Sequence, residues 1–367
     1  MNKQWYTISN IKEIDTPALV IYPDRVKQNI EILKSFIDDP QRLRPHVKTH
    51  KTKEAALLLM EAGINKFKCA TIAEAEMLGS IQAADVLLAY QPVGPKTDRF
   101  ISLIKNYTDT KFSCLVDDRI TAEYISNAAL KAGIIIPVYI DLNIGMNRTG
   151  IDPAKALELY EACSQIKGVT LLGLHAYDGH ISDPDLVVRE KQCEEAFAAV
   201  DELRDAIIEK GFAEPIIIAG GSPTFPLHAK RKKVECSPGT FIFWDASYEL
   251  FTEQPFLPAA LVITRIISHP TETGYCADLG HKSVAAEKEL TNRVKFINLP
   301  GAQSTGQSEE HLVLQTEEGS LQIGDVLYGM PFHICPTCAL YEKAFTVEGG
   351  KVTGEWKIVA RDRKISL

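Results

Sequence analysis

The sequence predicts an α/β fold, with an N-terminal (β/α)8 TIM-type barrel followed by a C-terminal, mainly-β domain. Three observations predict it. Eight short apolar or β-branched runs between Leu43 and Thr240 alternate with amphipathic helical stretches, which implies parallel strands. Several of the helical stretches end in glycine, a usual helix stop. After about Trp244 the pattern changes to short strands separated by Gly, Pro and Asn turns.

In order, the barrel strands are "LRPHVK", "KFKCAT", "DVLLAY", "KFSCLV", "PVYIDL", "TLLGLHAY", "PIIIAG" and "VECSPGT". Between them lie "TKEAALLLMEAG", "IAEAEMLGSIQA", "TDRFISLIKNY", "ITAEYISNAALKAG", "PAKALELYEACSQIKG" and the long "DLVVREKQCEEAFAAVDELRDAIIEKG". Eight such units favour a closed barrel over an open doubly wound sheet. The helix "PDRVKQNIEILKSFI" precedes the first strand and would close the ring as its eighth helix. Downstream, "AALVITRIISHP", "GYCADLG", "RVKFINLPG", "EEHLVLQTE", "DVLYGMP" and "KAFTVEGGKVTGEWKIVA" read as β-strands, and "WYTISNIKEIDTPALVIY" is expected to pair with them. The expected boundaries are residues 20–245 for the barrel and residues 1–19 plus 246–367 for the β-domain.

Composition narrows the function. The chain has 367 residues, 45% hydrophobic and 24% charged, as in ordinary soluble domains. A net charge of −8 argues against a general nucleic-acid binder. No apolar run reaches membrane-spanning length, and "MNKQWYTISNIKEIDTP" lacks a signal-peptide core. The protein is therefore expected in the cytoplasm, with its eight cysteines as reduced thiols.

In such a barrel, chemistry sits at the C-terminal ends of the strands. The first strand ends at Lys48, in the basic stretch "RPHVKTHKTK". The fifth leads to Arg148 in "NIGMNRTG", and the sixth ends in "LHAYDGH" with His175, Tyr177 and His180. The seventh and eighth end in "AGGSPT" and "SPGT". Two adjacent glycine/hydroxyl turns suit a phosphate held by backbone N–H groups, with Gly221, Ser222, Gly239 and Thr240 as candidates. A lysine across the mouth from a phosphate cradle suggests pyridoxal phosphate on a Schiff base. His46 shares the strand face of Lys48, either to support it or to touch the cofactor. Lys51 and Lys53 are expected on a solvated helix start, and His228, His269 and His311 on the surface or in loops. Asp178 and His180 are pocket candidates without an assigned role.

The segments "TPALVIYPDRVKQNI", "RPHVKTHK", "IDLNIGMNRTG", "HAYDGH", "GGSPTF" and "PFHICPT" together resemble the D-threonine aldolase / D-serine dehydratase family. That family is a branch of the alanine-racemase-like, fold-type III pyridoxal-phosphate enzymes. The resemblance runs over nearly the whole chain. It implies a homodimer with zinc beside the cofactor and a small D-amino acid as substrate, while charge and hydropathy lead us to expect no nucleic-acid or membrane partner. Lys48 matches the Schiff-base lysine, Tyr177 the tyrosine near the pyridine nitrogen, and Arg148 an arginine near the phenolic oxygen. His333 and Cys335 match the zinc pair, and on an extended segment residues two apart face the same side. Cys338 is not required by the family pattern.

The resemblance implies a lyase for D-β-hydroxy-α-amino acids, by D-threonine-type retro-aldol cleavage or D-serine-type dehydration. Cysteine rather than aspartate in the zinc pair leans toward dehydration. An amino-acid racemase of the same fold is an alternative, with Tyr275 as its second base. A non-catalytic pyridoxal-phosphate carrier is a further one, disfavoured by the β-domain and the metal pair.

Overall fold

The expected strands are short apolar or β-branched runs, and the stretches between them carry a helical period. The computed structural model describes residues 4–317 and 321–367; residues 1–3 and 318–320 of the expected β-domain range lie outside it. The chain begins with β1 (Ala18–Ile21) and α1 (Pro23–Ser35). Seven parallel strands follow: β2 (Lys66–Cys69), β3 (Asp85–Leu88), β4 (Lys111–Val116), β5 (Ile136–Leu142), β6 (Val169–Ala176), β7 (Ile216–Ala219) and β8 (Val234–Cys236). They pair in chain order in one sheet. The helix α2 (Lys53–Glu61) precedes β2. Between successive strands lie α3 (Ile72–Gly79), α4 (Pro95–Asn106), α5 (Arg119–Lys131), α6 (Pro153–Ser164), α7 (Leu186–Glu209) and the short α8 (Phe225–Ala229). Asp118, Asp152 and Asp185 cap three of these helices by accepting first-turn N–H groups.

The segment expected as the first strand is not a regular strand. It makes two isolated parallel bridges, Leu43 to Cys236 and His46 to Lys68. Proline at 45 has no N–H to give, which breaks the ladder. The segment still bonds on both sides. Arg44 and His46 donate to the carbonyls of Cys236 and Pro238, at 2.8 and 2.9 Å, while Lys68 donates to Pro45 and Val47 to Lys68, both at 2.9 Å. Residues 43–47 thus occupy the eighth place and close the ring, leaving Lys48 where the segment ends.

Leu87, Leu115, Tyr139 and Ile218, from four strands, form one apolar cluster of this barrel. Arg44 is 1% exposed. It donates to Glu235 at 2.7 Å and Asp85 at 2.5 Å, and Lys66 also pairs with Glu235. Asp85 and Lys66 begin their strands, so this network braces the N-terminal end of the barrel, away from the chemistry.

The remaining strands are β9 (Ala260–Thr271), β10 (Gly274–Ala277), β11 (Val294–Phe296), β12 (Gln303–Gln307), β13 (Leu312–Gln315), β14 (Val326–Pro331), β15 (Lys343–Glu348) and β16 (Lys351–Lys357). With β1 they form a nine-stranded sheet. Strand β1 lies between β9, antiparallel, and β15, parallel. Tyr6, Ile8, Ile14, Val20 and Tyr22 enter one buried cluster with Leu261, Ile263, Tyr328, Met330 and Val347. The N-terminal segment therefore pairs with the β-sheet. The "HICPTC" segment is not extended: His333 precedes a short helix, α9 (Ile334–Leu340). Proline at 336 fits a helix's first turn, where its missing N–H costs nothing.

By contacts the chain divides into two compact units. One comprises Leu33–Lys48, Ala56–Gly239 and Asp362–Leu367; the other comprises Met1–Ile32, Thr49–Ala55 and Thr240–Arg361. No helix among the described residues is long and apolar enough to cross a membrane. All eight cysteines are free thiols.

Candidate active site

Several strand ends of the barrel meet at a cavity of about 240 Å³, lined among others by His46, Lys48, Lys68, Arg148, His175 and Tyr177. Three cations converge on the Tyr177 ring. Its centroid is 5.7 Å from Lys48 Nζ, 5.2 Å from Lys68 Nζ and 5.1 Å from Arg148 Cζ. Local folding explains their placement. The Lys48 N–H donates to the ring Nδ1 of buried His46 at 3.2 Å, so His46 braces the lysine backbone. Arg148 sits on a loop built by Asn143, whose side-chain oxygen accepts the N–H groups of Gly145 and Asn147. That loop ends at Gly150, with φ +98° and no room for a Cβ, which would lie 2.5 Å from the Leu142 carbonyl carbon.

Beneath Tyr177 runs a buried polar relay. Asp141 Oδ1 and His175 Nδ1 are 2.7 Å apart, and His175 Nε2 is 3.4 Å from Lys68 Nζ. Burial disfavours charge on Asp141, but its hydrogen bond and charge interaction with His175 outweigh this and hold its pKa below the usual range. Burial and Lys68 lower the pKa of His175. A neutral imidazole then donates through Nδ1 to Asp141 and accepts at Nε2 from Lys68. Burial and the charge of Lys48 depress Lys68 to about 7, against the pull of Asp141 and Asp178.

The glycine turns also come together. Ser222 Oγ accepts the Gly239 N–H at 3.2 Å, and Thr224 Oγ1 accepts the Gly221 N–H at 3.3 Å. Two N–H groups expected to cradle phosphate are thus engaged by neighbouring hydroxyls. A Cβ on Gly221 would stand 3.2 Å from the Tyr177 ring, so glycine permits the close approach. Behind these turns, Thr224 donates to Asp178 at 2.8 Å, and Asp178 pairs with His228 at 2.8 Å. This corrects the surface assignment of His228, which is 1% exposed. Burial opposes its charge, yet Asp178 lifts its pKa to about 9. Cys193 lies 3.5 Å from the same ring nitrogen. The ligand atoms of Asp178, Cys193 and His228 all lie within 4.8 Å of one another, a spacing that also suits a metal ion. His269 and His311 are exposed, as expected, and so is His180.

In the β-unit, His333 and Cys335 meet although their segment is helical. His333 bonds Cys335 and, through Nδ1, Glu287. Burial disfavours the imidazolium, but Cys335 and Glu287 outweigh it and lift its pKa to about 9. The Cys335 thiol is 3.1 Å from Thr49 Oγ1 and 3.8 Å from Thr240 Oγ1. Thr240, expected at the phosphate, thus has its hydroxyl beside the candidate metal cysteine. Asp245, buried, accepts the Ile334 N–H at 3.0 Å and holds the start of α9 in place. Cys338 is buried, and its thiol pKa is pushed well up by burial and by Cys335.

Residues 21–247 match the family described as alanine racemase, N-terminal domain, and residues 259–347 match a putative serine dehydratase domain. The chain belongs to the family of the alanine racemase N-terminal domain. A D-threonine aldolase of Arthrobacter sp. is 27% identical, over 96% of this chain and 94% of its own. A 3-hydroxy-D-aspartate aldolase of Paracoccus denitrificans is 26% identical, over 96% and 93%. The crystal structure of the D-threonine aldolase of Filomicrobium marinum superposes with a TM-score of 0.87 at 28% identity, covering 95% of each chain.

The residues present fit the family's cofactor. A pocket with the Lys48 amine, two further basic side chains and a phenol ring offers one nucleophile and several partners for an anionic aromatic phosphate. His333 and Cys335 offer an imidazole nitrogen and a thiol sulfur, donors of the kind zinc takes, while the group of three ligand atoms that lie within 4.8 Å of one another among the described residues is Asp178, Cys193 and His228. Sequence reasoning brought out Lys48, Arg148 and Tyr177 but missed Lys68 and Asp141 and left His175 without a role. The signal available for Lys68 was its place one residue before the end of β2, one bridge from His46.

Proposed function

We propose that this chain is a pyridoxal-phosphate- and zinc-dependent lyase of D-β-hydroxy-α-amino acids. The observation that carries the reading is the Lys48 amine at the barrel mouth, sharing the Tyr177 ring with Arg148. Bound there, pyridoxal phosphate supplies an electron sink for the pair released when a bond at Cα breaks. Lys48 holds the cofactor and then exchanges the proton at Cα of the substrate. Arg148 and Tyr177 would fix the ring, and Ser222 with the turns at Gly221 and Gly239 would anchor the phosphate end once their N–H groups exchange the Thr224 and Ser222 hydroxyls for it, with Thr240 at the edge of the second turn. His333 and Cys335 would hold the zinc, whose chemistry is to lower the pKa of an alcohol oxygen.

The substrate then has two routes. If its β-hydroxyl loses the proton, the Cα–Cβ bond breaks to give an aldehyde and glycine. If Cα loses the proton, hydroxide leaves, and the resulting enamine hydrolyses to a keto acid and ammonia. The aldolases among the relatives support the first route, and cysteine in the metal pair supports the second. Racemization is disfavoured, because Tyr275 is buried and stacked on His269 at 4.4 Å. We take the protein to act in the cytoplasm as a homodimer.

The test is spectroscopic. Wild-type protein with pyridoxal phosphate should show a visible absorption band that Lys48→Ala abolishes; a colourless wild type would remove the reading.

A further inference from the structure

Lys68 is the one buried cation in the pocket that the proposed mechanism leaves unused. It is 2% exposed, and its amine faces the same ring as Lys48 and Arg148. The groups facing it from other elements are Lys48 on the closing segment, Asp141 on β5, Arg148 on the loop after β5, His175 and Tyr177 at the end of β6, and Asp178 just beyond. His175 takes one hydrogen of its amine. Asp141, the nearer compensating charge, is already bonded to His175. Lys68 is buried, Lys48 half-buried and Arg148 exposed, so the three groups gather positive charge around one ring from the pocket floor to its mouth, an arrangement that favours an anion between them.

We propose that Lys68, held on the Asp141–His175 pair, is a further cofactor-binding residue whose charged amine anchors an anionic oxygen of pyridoxal phosphate. The inference rests on the reading that this pocket takes that cofactor. It adds a proton linkage. In the empty pocket, burial and Lys48 bring Lys68 to about 7. An anion bound beside it favours the ammonium form, so above that pH binding must take up a proton and weakens as pH rises. Arginine at this position would keep its charge throughout.

The probe is pyridoxine 5′-phosphate, which has no aldehyde and cannot link to Lys48. It is titrated calorimetrically into cofactor-free wild type, Lys68→Met and Lys68→Arg at about pH 6 and about pH 9. At the lower pH, Lys68→Met is expected to bind about tenfold or more weakly, while Lys68→Arg stays within about threefold of wild type. At the higher pH, wild type should have lost about tenfold or more in affinity relative to Lys68→Arg. Lys68→Met matching wild type at both pH values overturns the inference while leaving the cofactor reading intact. Lys68→Arg falling in parallel with wild type also overturns it, and stands if the methionine variant does not fold. A wild type that binds neither this probe nor pyridoxal phosphate overturns the cofactor reading, and the inference with it.

Discussion

His228 shows how one side chain ties the site to stability. Its folded pKa of about 9 lies above the ordinary 6.5, because Asp178 outweighs burial. A raised histidine contributes stability that is fully present below about pH 6.5 and is lost as pH rises through about 9. His228→Gln should therefore cost about 3 kcal/mol at pH near 6, since it leaves Asp178 buried without its partner. The difference in melting temperature from wild type should shrink above about pH 9; an equal difference at both pH values would mean the ion pair is not its source. The sequence hid this residue, because a histidine in "FPLHAK" looks like a loop histidine and only the fold buries it. Lys48 stood out as a candidate for the opposite reason: it ends a run read as a barrel strand, and strand ends carry barrel chemistry. Lys68 lies one residue before the end of β2. It was missed because a lysine in "KFKCAT" reads as the outward half of an alternation, and the fourfold relay with His175, Asp141 and Tyr177 joins residues far apart in the chain.

At the scale of elements, the barrel depends on an irregular segment. Leu43–Val47 closes the ring by hydrogen bonds to β8 and β2, and Arg44 within it is buried on Glu235 and Asp85. Arg44→Met would strand those carboxylates and should destabilise the protein by about 3–5 kcal/mol, read as a lower denaturation midpoint. Strand packing makes a second demand at Gly173 in β6, where a Cβ would fall 1.9 Å from the Ile216 carbonyl oxygen of β7. Gly173→Val should impair folded yield more than any change at exposed Gly63, where a Cβ meets nothing within 4 Å. Most strands were legible because they are short apolar runs. Strand β12, "QSTGQ", was not, since it has no apolar residue and is held by pairing with β13. The "HICPTC" helix was not legible either. His-x-Cys was expected to converge by extended geometry, whereas the two side chains meet across the start of α9.

For the molecule as a whole, the expectation of a barrel followed by a β-domain was readable because the grammar of the chain changes once, near Trp244. The N-terminal segment returns to the β-sheet through β1, between β9 and β15. The proposed chemistry makes the cofactor and the metal separable. Chelation, or His333→Ala, should remove zinc by elemental analysis and most lyase activity while leaving the visible band in place; loss of the band with the metal would contradict separate roles for Lys48 and the His333–Cys335 pair. The most direct test is product analysis with the two enantiomers of threonine and of serine. The account predicts acetaldehyde and glycine from D-threonine, or pyruvate and ammonia from D-serine, with the L-isomers left intact; interconversion of D- and L-isomers with no bond cleaved at Cβ would contradict it.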